Sequence, residues 1–454
     1  MDQDNYTSTD AYHEEFQNVL VKLIARICMD HPYHGLVQLI ALSNGNNVAG
    51  RQASAYLYNV GDSKVEASSK LLASMERDDP DFLAQLIQSY KTVIDAYICL
   101  AIAPTKQFAD KRITKSIAIS DLVRSNKNRN QFQPLDSCLR RSSQYKPCVL
   151  TKTPSIRSGA DYGDGLTCPI GSEFIDSFQS TCSITETGIH RPKIVVCIGC
   201  NGGKFKQLVK GEGMFRYKHF HPFPLQDQFT YCFFHIIDDI RQDAIMQQVF
   251  QTVNVLFQNQ SATQKQSSSI KCNIKLHTYS CIPLSPSNGV LEWVDNTTSF
   301  GDFLYRSSNG KKMGAHERYY PGEWDISLCR SHYMCSPRDE VRASYDTICK
   351  NFSPCFRFFF LERFSHSPQR WHDARMAYVR SSAVNSIVGH ILGIGDRHSH
   401  NILIHEKTGE VVHIDFGIVF EQGKVRAVKD FFEHSHVIDS MVKRLTISFP
   451  NRSF

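Results

Sequence analysis

Apolar positions recur every three or four residues over 14–104. Phe16, Leu20, Leu23, Ile24 and Ile27 form one stripe, and Phe82, Leu86, Tyr90, Val93 and Tyr97 form another. That period belongs to amphipathic helices, and both stripes are expected in a core. Asp79-Pro80 predicts a helix start, with Asp as N-cap and Pro in the first helical position. Residues 1–13 are polar and are expected to be disordered. From about 147 the pattern changes to short β-type runs. Residues 193–198 and 204–210 flank Asn201-Gly202, a strong tight-turn signal, which places Lys210 at a strand end.

The helical period returns over 238–257, with Ile240, Ala244, Ile245, Val249, Val253 and Phe257. It returns again over 371–392, with Met376, Val379, Ala383, Ile387 and Ile391. Beyond it, 402–404 and 411–414 are two β-type runs around a Lys407-Thr408-Gly409 turn. Helices first, short strands next and helices again predict an α+β protein.

Composition narrows the picture. At 454 residues and 41% hydrophobic content the chain has room for two or three domains with real cores. The net charge of +6 is mild and does not argue for nucleic acid. Much of the excess lies in 106–146, with Arg112, Lys115, Arg124, Lys127, Arg129, Arg140, Arg141 and Lys146, which reads as a solvated linker. No run approaches the roughly 18 apolar residues of a membrane span, and the acidic, polar start has no signal-peptide character. Fifteen scattered cysteines fit free thiols in a reducing compartment. Cys197 and Cys200 have redox spacing but no following helix to lower a thiol pKa. His398, His400, His405 and His413 have no ligands at zinc spacing beside them.

The chemistry concentrates near residue 400. Gly395-Asp396-Arg397-His398-Ser399-His400-Asn401 is followed by His413-Ile414-Asp415-Phe416-Gly417. Asn401 lies five residues after Asp396, and Asp415 fourteen after Asn401. Kinases need an Asp that accepts the substrate hydroxyl proton, an Asn five residues on, and an Asp-Phe-Gly Asp, the last two holding Mg²⁺. Asp396, Asn401 and Asp415 match those three roles in a helix, loop and strand context. The local order, Asp-Arg-His, inverts the His-Arg-Asp of ordinary protein kinases. Upstream, a strand-borne Lys210 precedes a helix carrying Asp238 and Asp243, as in a kinase small lobe. Val290-Leu291-Glu292-Trp293 stands at the distance of a hinge whose aromatic covers adenine.

Together Gln207-Leu-Val-Lys-Gly211, the run from Asp238 to Phe250, Gly289-Val-Leu-Glu-Trp293 and Gly393-Ile-Gly-Asp-Arg-His398 resemble the phosphatidylinositol-3-kinase-related protein kinases. Phe420-Glu-Gln-Gly423 and Met29-Asp-His-Pro-Tyr-His34 favour the branch of the ataxia-telangiectasia mutated (ATM) kinase. The resemblance covers roughly 15–424. It implies a bilobal PI3K/PI4K-like fold, β-rich in the small lobe and helical in the large one, preceded by a helical FAT-like segment. The expected division is 1–13 disordered, 14–104 FAT-like, 105–146 linker, 147–292 small lobe, 293–424 large lobe and 425–454 an atypical tail.

The resemblance further implies Ser/Thr phosphorylation before Gln with ATP and Mg²⁺ or Mn²⁺, in DNA-damage signalling, in the nucleus with a cytoplasmic pool. DNA-damage sensor complexes would be met through N-terminal repeats outside this C-terminal end of the family's chain; no membrane partner and no direct nucleic-acid site are expected. Lys210 would bind phosphate, Asp238 or Asp243 would hold Lys210, and Glu292 and Trp293 would face adenine. Asp396 would take the hydroxyl proton, His398 would stabilise the transferring phosphoryl, and Asn401 and Asp415 would ligate the metal.

Two segments depart from the family. Residues 213–237, rich in Phe and Tyr, interrupt Lys-Gly-Glu-Asp-Asp-Ile-Arg-Gln-Asp, which rejoins cleanly from Glu212 to Asp238. Residues 425–454 replace the remaining large-lobe helices and the FATC segment, with 431–445 patterned as an amphipathic helix. Retained intron sequence is one origin for both. The competing functional readings are a catalytically inactive interaction module and a phosphoinositide lipid kinase.

Overall fold

The computed structural model describes residues 4–45, 62–105, 116–124, 144–152, 169–185, 191–211, 240–263, 274–305, 313–337 and 339–420. The chain divides into two compact units, Met1–Ala244 with Tyr279–Trp293, and Ile245–Thr278 with Val294–Phe454. Helices and antiparallel strands are mixed in both, which is the α+β class the pattern predicts.

The first unit opens with helices α1 (Asp4–Asp30), α2 (Pro32–Ser43), α3 (Asp62–Asp78) and α4 (Leu83–Ile102). Strands β1 (Ile117–Ala118), β2 (Ile175–Phe178), β3 (Thr181–Ile184), β4 (Lys193–Gly199) and β5 (Lys204–Gly211) follow, with the short helix α5 (Ile119–Arg124) after β1. Helix α6 (Ile240–Thr263) starts in this unit, and β6 (Cys281–Ser285) and β7 (Asn288–Glu292) complete it. Among the described residues these strands make a seven-stranded sheet in the order β1-β3-β4-β5-β7-β6, with β2 also paired to β4.

The Asn201-Gly202 turn closes the β4–β5 hairpin as expected, with Gly202 at φ +80° and Val195 opposite Gln207. Such a φ costs glycine nothing. Helix α4 buries Leu86, Tyr90, Val93 and Tyr97 completely. Tyr97 donates its hydroxyl hydrogen to Gln207 Oε1, and Gln207 Nε2 donates to Thr151 Oγ1 at 3.1 Å. Lys193 is buried on β4 and donates from Nζ to the Ala101 carbonyl at 2.6 Å. An ammonium there meets the carbonyl end of α4, where the helix dipole favours positive charge.

Several expectations change. Helix α1 begins at Asp4, inside the stretch expected to be disordered; its Asp, Ser and Thr residues suit a first turn, which a reading of apolar periodicity ignores. Phe16, Leu20, Leu23 and Ile27 are exposed rather than core, and of that stripe Ile24 packs against the buried cluster. The period fixes a helix and one apolar face, but burial needs a neighbour on that face. Helix α4 starts at Leu83, three residues after Pro80, although Asp79 does cap it from a turn, accepting the Phe82 N–H at 2.9 Å. Part of the expected linker is built into the fold: Ile119 and Leu122 are fully buried. The basic residues around them dominated the composition and hid a short apolar core segment.

In the second unit β8 (Thr297–Ser299), β9 (Ile402–His405) and β10 (Val411–His413) form a three-stranded antiparallel sheet with β9 central. The helices are α7 (Phe300–Leu304), α8 (Ala315–Tyr319), α9 (Ile326–Met334), α10 (Val341–Asn351), α11 (Arg357–Phe364) and α12 (Pro368–Ile391). Helix α12 starts where Pro368 occupies the first turn and Ser367 Oγ accepts the Arg370 N–H. Phe356, Phe359, Phe360 and Phe364 pack with Tyr378, Ile402, Ile404 and Val411 as this unit's core. The face that α12 buries carries Ala374, Tyr378, Ser381, Val384, Asn385 and Val388. The apolar stripe that announced the helix lies outward, with Ile387 64% and Ile391 74% exposed. Two polar residues reach the core because they are bonded there. Ser381 Oγ accepts the Val411 N–H at 2.9 Å and donates to the Ala377 carbonyl, and Asn385 donates to the Ser381 carbonyl. Among the described residues no helix is long and apolar enough to cross a membrane.

Candidate active site

In the second unit, residues 393–401 leave the C-terminal end of α12 and enter β9. Gly395 N–H donates to the Ile418 carbonyl and Ile414 N–H to the Asn401 carbonyl, so the loop and the Asp-Phe-Gly segment run side by side. Two aspartates stand on backbone that L-residues rarely adopt, Asp396 at φ +52° and Asp415 at φ +61°. Aspartate tolerates this region better than most residues, but at a cost. Such outliers persist where the surroundings over-determine them, and here two side chains do so.

Asn401, buried within the loop, donates from Nδ2 to the Asp396 carbonyl at 3.1 Å. Arg397 donates from Nε to the Gly395 carbonyl and from Nη1 to the Ile414 carbonyl, both at 2.8 Å, and from Nη2 to the Asp415 carbonyl. Its guanidinium also lies over the Phe416 ring, 5.3 Å from the centroid. Phe416 is fully buried and meets Phe250 of α6 edge to face. One planar fork therefore fixes the backbone on both sides of the site, which a lysine cannot do. The sequence reading passed over Arg397. Its place between Asp396 and His398 was visible, but its three carbonyl partners are set by the left-handed residues.

The donor set suits a hard cation. Asn401 spends its amide nitrogen on Asp396, which leaves its Oδ1 as the ligating atom, and Asp415 supplies a carboxylate. His398 is held below the ordinary histidine range, chiefly by desolvation, against the opposing pull of Asp396. Its Nδ1 accepts the His400 N–H at 3.2 Å, which puts the proton of the neutral ring on Nε2. Burial, with the Arg397 guanidinium, pushes His413 down to about 3, so this imidazole is neutral too. Its Nδ1 is buried without a partner among the described residues.

The remaining predicted residues belong to the first unit. Lys210 is half-buried on β5, opposite Gly289 of β7. Asp243 is 1% exposed in the first turn of α6. Asp238 lies outside the described residues, as do 213–237 and 425–454. Glu292 ends β7 with its carboxylate already engaged: Oε2 accepts the Ser280 N–H at 3.0 Å and Oε1 lies 3.8 Å from Lys152 Nζ. Trp293 is half-buried and donates its backbone N–H to the Lys206 carbonyl at 3.1 Å.

Residues 230–444 match the family described as phosphatidylinositol 3- and 4-kinase. The chain is 36% identical over 408 residues to a serine/threonine-protein kinase ATM of Arabidopsis thaliana, covering 90% of this chain and 9% of that protein. It is 33% identical over 427 residues to a serine-protein kinase ATM of Sus scrofa, covering 90% and 12%. Among solved structures, the FAT and kinase domain of CtTel1 superposes with a TM-score of 0.67 at 29% identity, over 90% of this chain and 24% of that one. The open conformation of CtTel1 gives 0.68 at 30%, over 90% and 13%. This chain thus spans about a tenth of the length of the curated relatives it matches. With the Asp396, Asn401 and Asp415 constellation inside the matched region, the chain belongs to the phosphatidylinositol 3- and 4-kinase family, in the branch of the ATM and Tel1 kinases.

Proposed function

We propose that this chain is a serine/threonine protein kinase module that moves the γ-phosphoryl group of ATP to a protein hydroxyl, at Ser or Thr before Gln, in nuclear DNA-damage signalling. The observation that carries the reading is the pair of aspartates held on left-handed backbone and joined by Asn401 and Arg397. In the step, the substrate hydroxyl oxygen bonds to the γ-phosphorus and the bond to the β–γ bridging oxygen breaks. ADP leaves with that electron pair, and the hydroxyl proton passes to the Asp396 carboxylate. Asn401 Oδ1 and the Asp415 carboxylate would hold Mg²⁺, which when bound neutralises charge on the phosphates. His398, neutral with its proton on Nε2, would donate a hydrogen bond to the phosphoryl rather than bring a charge. Lys210 would contact phosphate, with Asp243 or Asp238 as its carboxylate. Trp293 would contribute its ring to adenine, and Glu292 its backbone, since its side chain is engaged elsewhere. The resulting catalysis is mostly positioning and electrostatics.

The test is Mg-ATP-dependent transfer to a Ser-Gln peptide and, separately, to phosphoinositide vesicles, by the chain and by Asp415→Asn. Transfer to the peptide that the variant loses supports the reading. Transfer to the lipid alone replaces it with the lipid-kinase reading. No transfer by a chain that unfolds cooperatively replaces it with an inactive interaction module.

A further inference from the structure

Residues 296–305 follow the catalytic loop beyond the end of the sheet they share. Strand β8 pairs with β9, with Thr297 opposite His405 and Ser299 opposite Leu403, and Glu406 donates its N–H to the Asn296 carbonyl at 2.7 Å. The first N–H groups of α7 have no carbonyl within the helix and need partners outside it. Asp302 N–H takes Ser299 Oγ at 3.0 Å, and Gly301 N–H crosses to the Ser399 carbonyl at 2.9 Å. A Cβ at Gly301 would come within 2.7 Å of His400 Cδ2, so the helix backbone lies directly against that imidazole.

From the other end of α7, Tyr305 reaches the same loop residue. Burial pushes its hydroxyl up to about 12, which keeps it protonated, and it shares a hydrogen bond with the Ser399 hydroxyl. A Cβ at Gly314 would come within 2.6 Å of the Leu304 carbonyl oxygen, so this end of α7 is seated on the backbone ahead of α8. Ser399 is thus held twice, by its carbonyl and by its side chain. It is also the residue on which the loop turns. His400 N–H donates to His398 Nδ1 at 3.2 Å, and Asn401 N–H donates to the His398 carbonyl at 2.9 Å. The first bond leaves the proton of the neutral His398 ring on Nε2, and the turn brings Asn401 to the Asp396 carbonyl.

We propose that Tyr305 and Gly301 are positioning residues: through Ser399 they hold the His398–Ser399–His400 turn in the shape that presents His398 Nε2–H, beside Asp396 and Asn401, to the transferring phosphoryl group. The proposal rests on the phosphoryl-transfer reading above. Both residues act on the loop and leave the reacting atoms to it. A loop braced in this way needs no reorganisation at the moment of transfer, and a reacting group misplaced by about 1 Å costs up to about 100-fold in rate.

The test compares the full chain with Tyr305→Phe, Ser399→Ala and their double variant, each carrying ¹⁵N-labelled histidine. Tyr305→Phe should lower kcat on the Ser-Gln peptide about tenfold, with KM for peptide and for ATP changed less than about twofold. Ser399→Ala should do the same, and the double variant should be no slower than either. The ¹⁵N spectrum at mildly alkaline pH should show His398, assigned by its loss in His398→Gln, as the Nε2–H tautomer in the unaltered chain and as a mixture of tautomers in the variants. Gly301→Ala should reproduce both changes through the other contact. A Tyr305→Phe chain whose urea midpoint falls while kcat and the tautomer hold would make Tyr305 a core residue only and overturn the proposal, as would losses that multiply in the double variant. If the unaltered chain transfers no phosphate, the kinase reading falls and the tautomer decides alone: mixing in the variants sustains the brace, and an unchanged ring overturns it. Should Tyr305→Phe fail to fold, Ser399→Ala, on a half-buried loop residue, gives the same two readouts.

Discussion

Helices α4 and α12 are built alike and used oppositely. Both are long, 20 and 24 residues, and both carry an apolar stripe at the helical period. Helix α4 turns that stripe inward and buries Tyr90, Val93 and Tyr97 completely. Helix α12 turns its stripe outward and buries Ser381 and Asn385, whose polar atoms are satisfied by Val411, Ala377 and Ser381. Apolar burial stabilises the first helix. The second buries Ala374, Tyr378, Val384 and Val388 as well, and adds these side-chain hydrogen bonds to that burial; its C-terminal end delivers the loop with Asp396. Burial by area tolerates small shifts, whereas a hydrogen bond fixes position; a helix that aims a catalytic loop gains from the second kind.

The comparison breaks most visibly at Tyr97. Tyr97→Ala should destabilise the first unit by about 3–5 kcal/mol in urea unfolding, through a cavity and the orphaned Gln207 oxygen. A loss below 1 kcal/mol would mean that α4 is not held by burial. Next is the loop that α12 delivers. Arg397→Ala should lower kcat about 100-fold, roughly 2.7 kcal/mol, and Arg397→Lys should recover little of it. An Arg397→Lys enzyme with full kcat would remove the two-sided clamp. Ser381→Ala should cost about 1–3 kcal/mol, since it strips the buried Val411 N–H of its acceptor. A neutral result would put α12 in the same class as α4.

The most gradual effect sits at the end of α4 and depends on pH. Burial pushes Lys193 down to about 8, so between pH 8 and the ordinary lysine range the unfolded chain binds a proton that the folded chain does not. Stability relative to Lys193→Met should therefore rise with pH across that window, by at most about 1.4 kcal/mol per unit. Below pH 8 the difference should be flat. A slope of the opposite sign would mean that the bond to Ala101 outweighs burial.

Much of this was legible beforehand where local chemistry is decisive. Asn201-Gly202 specified its hairpin, Lys407-Thr408-Gly409 its turn, and Asp396, Asn401 and Asp415 their segment. What stayed hidden was relational. The stripe of α1 looked like core because periodicity does not say whether a neighbour covers it. The apolar period of α12 does not point to Ser381 and Asn385 as buried, because their partners are 30 residues away or on the helix itself. Arg397 carried no assignment because its carbonyl partners depend on two positive φ angles that no glycine announces.

Those two angles carry a consequence for how this protein would respond to selection. Asp396 and Asp415 occupy conformations in which glycine or asparagine would sit with less strain. A search for heat resistance alone would therefore favour replacing both, and would reward each replacement with a higher melting temperature. The carboxylates on which the proposed chemistry depends are among the residues that thermostability pressure would remove first. Libraries of this chain need an activity screen running beside the thermal one.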